Sequence, residues 1–172
     1  SLKGMESVHI EKVLQLWENG RTGAEIHLPC GLKALKSYNH LIIARAVNNV
    51  ETRPFCIEIS IPGVTLVPEI GAGIKAFIEK KSSAIEQNGN MRYNSLVQYF
   101  DYDTFKMGIY IRNRKDGDVF KPYKSNGTRK LKEYFIDNKI PRHKRDNIPL
   151  IAQGNEIVWV IGYKISDKFK VT

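Results

Sequence analysis

The sequence lacks the motifs by which most enzymes and metalloproteins are recognised. It has no Walker A loop, no glycine-rich dinucleotide fingerprint and no nucleophile elbow. Its four histidines are scattered, and His27 with Cys30 forms only half of a zinc-binding pattern. Asp101 and Asp103 have no evident third ligand and fit a capped turn better than a metal site. We therefore predict no catalytic residue and no metal ligand in these 172 residues.

Cysteines and long apolar runs are also scarce. The two cysteines, Cys30 and Cys56, lie near apolar residues and are predicted to be small buried thiols. Neither a signal peptide nor a transmembrane run is present, so we expect a cytoplasmic location and no membrane partner. Because the chain begins with Ser1 rather than methionine, we expect the natural protein to extend upstream.

Acidic residues are outnumbered, with 18 Asp and Glu against 27 Lys and Arg, which gives a net charge of +9. Residues 112–146 hold 12 basic and 5 acidic side chains, a local net charge of +7 in about a fifth of the chain. Such an excess favours polyanionic partners, namely nucleic acid or an anionic membrane surface. The alternative is a basic protein whose charges only keep it soluble.

The apolar periodicity predicts an α+β fold of two small domains, with mostly antiparallel or mixed sheets and a few short helices. Residues 7–19 fit a helix that Ser7 would cap and Gly20 would end. The predicted apolar face of this helix comprises Ile10, Val13, Leu14 and Trp17. Alternation of apolar and polar residues predicts strands at 24–28, 32–38, 41–47, 55–61 and 64–67, with a hairpin turn at Asn39-His40. Residues 72–80 fit either a helix or a strand, and the alternation of Ile74, Ala76 and Ile78 favours a strand.

Residues 82–94 are polar, with a glycine between two asparagines, and predict a long exposed loop. We place the domain boundary within 82–107. Residues 1–95 would then form a middle domain, with a helix and a β-rich part, and 96–172 a C-terminal domain. Strand patterns return at 96–100 and 108–112.

The end of the chain predicts a hairpin of 149–153 with 156–163, closed at Gly154-Asn155. The continuous apolar run at 157–161 is typical of a central strand that is buried on both faces.

The segment Asp118–Asp146 places most of the local charge on a loop, a helix and a turn. Gly127 lies in the loop, Thr128 would cap a helix that runs to about Asn138, and Pro141 would begin the basic turn. A phosphate backbone needs several cations and amide donors, which the glycine loop and the first helical turn can offer. The predicted RNA-binding residues are Arg112, Arg114, Lys121, Lys124, Arg129, Lys130, Lys132, Lys139, Arg142, Lys144 and Arg145. The alternative is that these charges form only the solvated face of a helix.

Several known RNA-binding motifs are also missing, which indicates how RNA would be recognised. The sequence has no aromatic RNP motif, no GXXG clamp and no helix suited to reading a major groove. We therefore favour recognition of the backbone and shape of an A-form helix. The competing interpretation is a basic protein-interaction module that docks an acidic partner or its own catalytic domain.

From Arg114 onwards the sequence resembles the C-terminal domain of bacterial tRNA(Ile)-lysidine synthetases over about 60 residues. Three blocks carry the resemblance. The first block matches at Arg114, Gly117, Asp118, Phe120 and Pro122. The second matches at Gly127, Lys130, Leu131, Lys132, Phe135, Ile136, Asp137, Lys139, Ile140 and Pro141. The third matches at Arg145, Asp146, Pro149 and Leu150.

The sequence departs from the family pattern at two positions within these blocks. Val119 stands where the family often has Arg, and Arg129 replaces a Lys. The earlier segments HIEKVLQLW and T-G-x-x-I-x-L-P resemble the family's middle domain.

The resemblance implies a parent ATP-dependent carbon–nitrogen ligase. Its N-terminal domain would carry an S-G-G-x-D-S motif, use ATP with Mg to adenylate the wobble cytidine of the CAU anticodon, and join free lysine to give lysidine. That motif is absent from these residues, so the resemblance implies a non-catalytic, cofactor-free C-terminal fragment. Its implied role is to hold the body of tRNA(Ile), notably the acceptor stem. The implied partners are tRNA(Ile) and the parent's N-terminal catalytic domain, and a homodimer is left open.

Overall fold

The structure, a computed structural model, describes residues 4–45, 53–80 and 96–172. The chain divides into two compact units, Ser1–Thr52 with Lys139–Arg142 and Arg53–Asn138 with His143–Thr172. Residues 56–58 pair with residues 110–112, so strands on both sides of residues 82–107 belong to the same compact unit. The predicted loop at 82–94 lies outside the described residues.

The first unit contains one helix and a three-stranded antiparallel sheet. Helix α1 spans Ser7–Asn19, and strands β1, β2 and β3 follow in order along the chain and across the sheet. The strands span Glu25–Leu28, Leu32–Ser37 and His40–Arg45. The helix bounds predicted from the sequence are thus confirmed, whereas the hairpin turn lies at Tyr38-Asn39, one residue earlier than predicted.

The ends and faces of α1 differ in part from the prediction. Glu6 rather than Ser7 is the N-cap, and its backbone N–H donates to His9 Nδ1 at 3.0 Å. Leu16 is buried against Leu28 and Ala34 of the sheet. Three of the four residues of the predicted apolar face are about half exposed, namely Ile10, Leu14 and Trp17. Only part of the apolar surface of α1 is therefore covered in this unit.

The second unit is built on a mixed six-stranded sheet in the order β4-β7-β10-β11-β8-β9. The strands of the unit are β4 Cys56–Glu58, β5 Gly63–Val67, β6 Ala72–Ala76, β7 Tyr110–Arg112, β8 Val119–Phe120, β9 Arg129–Lys130, β10 Leu150–Gln153 and β11 Glu156–Val160. Strands β5 and β6 form a separate hairpin, and β11 runs parallel to β8. The α+β class with antiparallel and mixed sheets is confirmed.

The core of the second unit lies around β11, as the apolar run predicted. Ile157, Val158, Trp159 and Val160 are all buried, and β11 pairs with β10 on one side and β8 on the other. The hairpin with β10 closes at Gly154-Asn155, where Gly154 has a φ of 60°. A glycine adopts this left-handed conformation without the steric cost that a side chain adds.

Two short helices follow β9. Helix α2 spans Leu131–Asp137, and helix α3 spans Arg142–Arg145. The buried face of α2 includes Tyr134, whose ring packs edge-on against Phe120 with 4.9 Å between centroids. Thr128 is not the cap of α2, because Arg129 and Lys130 pair with β8 and the helix begins only after Lys130.

Other local predictions have mixed outcomes. Asp101 caps a 3-10 turn by accepting from the backbone N–H of Asp103, so the capped-turn interpretation is confirmed. Residues 96–100 form no regular strand. Both cysteines are exposed rather than buried. Cys30 lies in the turn between β1 and β2 with a φ of 61°, and Cys56 lies on the outermost strand β4.

Candidate nucleic-acid interface

A buried ion pair lies beneath the basic segment. Arg112 donates from Nη1 and Nη2 to the two carboxylate oxygens of Asp118 at 2.9 and 2.7 Å, and both side chains are 2% exposed. Arg112 also donates to the backbone carbonyls of Asn113 and Gly154, both at 2.9 Å. These bonds tie β7 to the turn before β8 and to the β10–β11 turn. The burial of Arg112 argues against the RNA contact predicted for it and favours a structural role.

Asp118 has a structural role in the turn before β8. Besides the two bonds from Arg112, it accepts from the backbone N–H of Lys115 at 2.7 Å. The oxygens of this buried carboxylate accept hydrogen bonds from a guanidinium and a backbone amide. Asp118 therefore stabilises the fold and is not placed to act as a general acid or base.

A second ion pair links the loop after β7 to the turn after α3. Arg114 Nε donates to Asp146 at 2.5 Å, and both side chains are partly exposed. Asn113 strengthens the link, because its amide nitrogen donates to the Asp146 carbonyl and its amide oxygen accepts from Phe55 N–H. Arg114 thus stays at the surface with part of its charge already paired.

A third ion pair spans helix α2. Arg129 on β9 donates to Asp137 at the helix end at 2.7 Å. The side chains are 40% and 57% exposed, so this pair contributes at most about 1 kcal/mol to stability. Its main effect is to hold the guanidinium along one side of α2.

Strand β9 and helix α2 bring two further lysines to the surface. Lys130 lies on β9, the edge strand of the sheet, and Lys132 lies on α2. Lys132 faces solvent because Leu131, Tyr134 and Phe135 occupy the buried side of the helix. Lysines on an edge strand also discourage unwanted strand pairing, which is the structural alternative to a binding role.

The remaining predicted RNA-binding side chains fall into two groups, those with a carboxylate within ion-pair distance and those without one. Lys121 lies 3.3 Å from Asp167. Arg145 is half-buried. Within residues 4–45, 53–80 and 96–172, no ion pair to a carboxylate involves the exposed side chains of Lys124, Lys130, Lys132, Lys139, Arg142 and Lys144. Lys139 and Arg142 group with the first compact unit, and the other four belong to the second. Cations that no carboxylate neutralises keep their full charge for contacts with phosphates.

One cluster around Asp167 was missed by the sequence reasoning. Asp167 accepts from Lys170 at 3.0 Å, lies within ion-pair distance of Lys121, and also accepts from the backbone N–H of Lys124. The bond from Lys170, then the amide of Lys124 and the bond from Lys121, lower the pKa of Asp167 below its usual value. The i, i+3 spacing could have indicated the Lys170 pair, but Lys121 is 46 residues away in sequence.

The part of the chain that the structure describes holds no group of three or more His, Cys, Asp or Glu side chains that could bind a metal ion. No helix in that part is long and apolar enough to cross a membrane.

Comparison with known proteins agrees with the resemblance. Residues 109–172 match the model of the TilS substrate C-terminal domain family. Over 98% of its length the chain is 45% identical to a tRNA(Ile)-lysidine synthase of Caldanaerobacter subterraneus subsp. tengcongensis, and over 99% it is 39% identical to one of Clostridium tetani. It spans 34% and 36% of the lengths of these relatives.

A solved structure titled as a TilS C-terminal domain is also similar. It is 25% identical with a TM-score of 0.48, over 69% of this chain and 87% of that one. Through residues 109–172 the chain is similar to the TilS substrate C-terminal domain family, and along nearly its whole length it is similar to tRNA(Ile)-lysidine synthases.

Proposed function

We propose that this chain is the tRNA-holding region of a tRNA(Ile)-lysidine synthase and contacts the body of tRNA(Ile), notably its acceptor stem. The observation that carries the proposal is the exposed, carboxylate-free lysine pair on β9 and α2, Lys130 and Lys132, in a chain similar to tRNA-modifying enzymes. Lysines of this kind neutralise phosphates and displace the counterions condensed on RNA, which supplies sequence-independent affinity.

The arrangement suits backbone recognition better than base reading. The candidate cations of the second unit lie on a two-residue strand, on helices of seven and four residues and in a loop, and neither helix is long. Such a surface can follow the phosphates and 2′-hydroxyls of an A-form duplex by shape. Base specificity is not needed for this role.

The chemistry belongs to the rest of the parent protein in this proposal. An N-terminal catalytic domain would use ATP with Mg and free lysine to convert the wobble cytidine of the CAU anticodon to lysidine, in the cytoplasm. The present chain would hold the same tRNA molecule and would itself be no enzyme. Its partners would then be tRNA(Ile) and that catalytic domain.

A charge-neutralising variant tests the proposal. We expect Lys130→Ala/Lys132→Ala to make the slope of log K, the tRNA association constant, against log salt concentration less negative by about 1.4 to 1.8. Each lost phosphate contact reduces the steepness of this slope by about 0.7 to 0.9. At 0.1 M salt this corresponds to roughly 25- to 60-fold weaker tRNA binding if binding at 1 M is unchanged.

The matched control is Lys75→Ala/Lys80→Ala, which removes the same charge from exposed positions of the second unit outside residues 112–146. It should leave the slope nearly unchanged. Equal effects of the two double variants would mean that only net charge matters, and the β9–α2 site would be wrong.

A protein-docking role is the second candidate, and the half-exposed Ile10, Leu14 and Trp17 of α1 favour it for the first unit. Apolar residues grouped on one helix often mark a protein contact. The basic surface has a protein-docking alternative of its own, an acidic partner. Poly-glutamate that competes with tRNA at equal charge concentration in the same binding assay would favour that acidic partner over RNA.

A further inference from the structure

A second basic cluster lies where the loop after β8 meets the C-terminal segment. Residues 121–124 run alongside residues 165–170, and Tyr123 N–H donates to the Ile165 carbonyl at 2.9 Å. Asp167 N–H donates to the Lys121 carbonyl at 2.8 Å. These backbone bonds fix the two segments to one another, so the side chains that they carry have defined positions.

Three lysine side chains gather on this paired backbone. Lys121 and Lys170 both reach the carboxylate of Asp167, at 3.3 and 3.0 Å. Lys124 Nζ lies 5.5 Å from the centre of the Tyr123 ring, and Lys170 Nζ lies 5.9 Å from the same centre. Both distances are within the range of a cation–π interaction.

The charge of this cluster is not balanced internally. The Asp167 carboxylate forms ion pairs with two of the three ammonium groups, and its side chain is 15% exposed whereas Lys121 and Lys170 are 38% and 37% exposed. The carboxylate therefore lies deeper than the lysines that it holds. A net positive, ordered and accessible group of this kind is suited to a polyanion.

Order matters because binding normally immobilises long side chains at a cost in entropy. A lysine already held by a carboxylate or an aromatic ring loses less freedom when a phosphate arrives. Asp167 and Tyr123 thus prepare the three ammonium groups for binding.

We propose that Lys121, Lys124 and Lys170 form a second phosphate-contact site for the same RNA, in which Asp167 positions the side chains of Lys121 and Lys170 and the Tyr123 ring positions that of Lys124. This rests on the proposed tRNA-holding function. It adds Lys170, Asp167 and Tyr123 to the interface, none of which the charge of residues 112–146 indicated. The site lies on the second unit, as do Lys130 and Lys132.

The positioning role of Asp167 has an unusual consequence. Removing a negative charge from an RNA-binding surface ordinarily tightens binding. Asp167→Asn keeps an oxygen that can accept from Lys124 N–H but loses the charge that holds Lys121 and Lys170. We expect this variant to bind tRNA roughly 3- to 10-fold more weakly, because two lysines must then be ordered on binding.

The experiment compares four variants of the whole chain with tRNA(Ile) in a salt series. Glu156→Gln is the matched control for Asp167→Asn, since Glu156 pairs only with Lys168 among the ion pairs of the described residues. It should bind as tightly as wild type or more tightly. Lys170→Ala should flatten the salt slope by about 0.7 to 0.9, and Lys75→Ala should not.

The outcomes are distinguishable. If wild type binds tRNA with a steep salt slope, but Asp167→Asn tightens binding and Lys170→Ala leaves the slope unchanged, the second site is wrong and the proposed function stands. If wild type does not bind tRNA, both are wrong. Urea unfolding of each variant identifies any that is misfolded, and Lys170→Ala tests the site even if Asp167→Asn does not fold.

Discussion

The buried ion pair of Arg112 and Asp118 allows a test of whether Arg112 stabilises the fold or contacts RNA. Arg112→Met removes the guanidinium and leaves the Asp118 carboxylate 2% exposed without its cation. We expect the free energy of unfolding to fall by about 3–5 kcal/mol, the usual cost of leaving a buried charge unpaired. A domain of this size has roughly 5–15 kcal/mol of stability in total, so the variant should be close to unfolding.

The double variant Arg112→Met/Asp118→Leu tests the reason for that loss. Replacing both members of a buried pair with apolar side chains is often neutral, so most of the stability should return. Recovery should be incomplete, because the Gly154 carbonyl and the Lys115 N–H each lose a partner at a cost of about 1–3 kcal/mol. Arg114→Met, at the exposed pair with Asp146, is the control and should cost about 1 kcal/mol or less.

Urea unfolding followed by circular dichroism gives the free energies, and tRNA binding is measured where each variant remains folded. Folded Arg112→Met should keep the wild-type salt slope. The reasoning is refuted if Arg112→Met is as stable as wild type while its tRNA binding is weakened, since Arg112 would then contact RNA.

Two further predictions concern α2. Burial raises the pKa of Tyr134, so above about pH 10 the unfolded chain loses this proton before the folded chain does, and stability should fall as pH rises through the folded pKa. Tyr134→Phe should weaken this alkaline dependence in urea unfolding at pH 8 to 11, and an identical dependence would contradict the assignment. Phe135→Ala should cost about 3–5 kcal/mol because Phe135 is fully buried, whereas the neighbouring and exposed Ile136→Ala should cost about 1 kcal/mol or less. Equal costs in thermal unfolding would mean that α2 packs differently.

Features set by local pattern could be predicted from the sequence. The run at 157–161 indicated a buried central strand, and Gly154-Asn155 indicated its hairpin turn, because each depends on neighbouring residues alone. The bounds of α1 followed from its apolar spacing and from Gly20.

Features set by distant pairing could not be predicted. Strand β4 pairs with β7 across more than 50 residues, and no local pattern indicates that pairing. Thr128 has the chemistry of an N-cap, but the pairing of β9 with β8 takes precedence and delays the helix. The count of charged residues in 112–146 also treated Arg112 as a surface cation. Such a count does not show which arginine is paired with a buried aspartate.

The salt dependence of tRNA(Ile) binding by this chain decides whether the chain holds tRNA through its phosphates. If at least four of the exposed cations each neutralise one phosphate, log K against log salt should have a slope of about −3 or steeper. No binding at low salt, or a slope near zero, would contradict the claim that this chain holds tRNA through its phosphates.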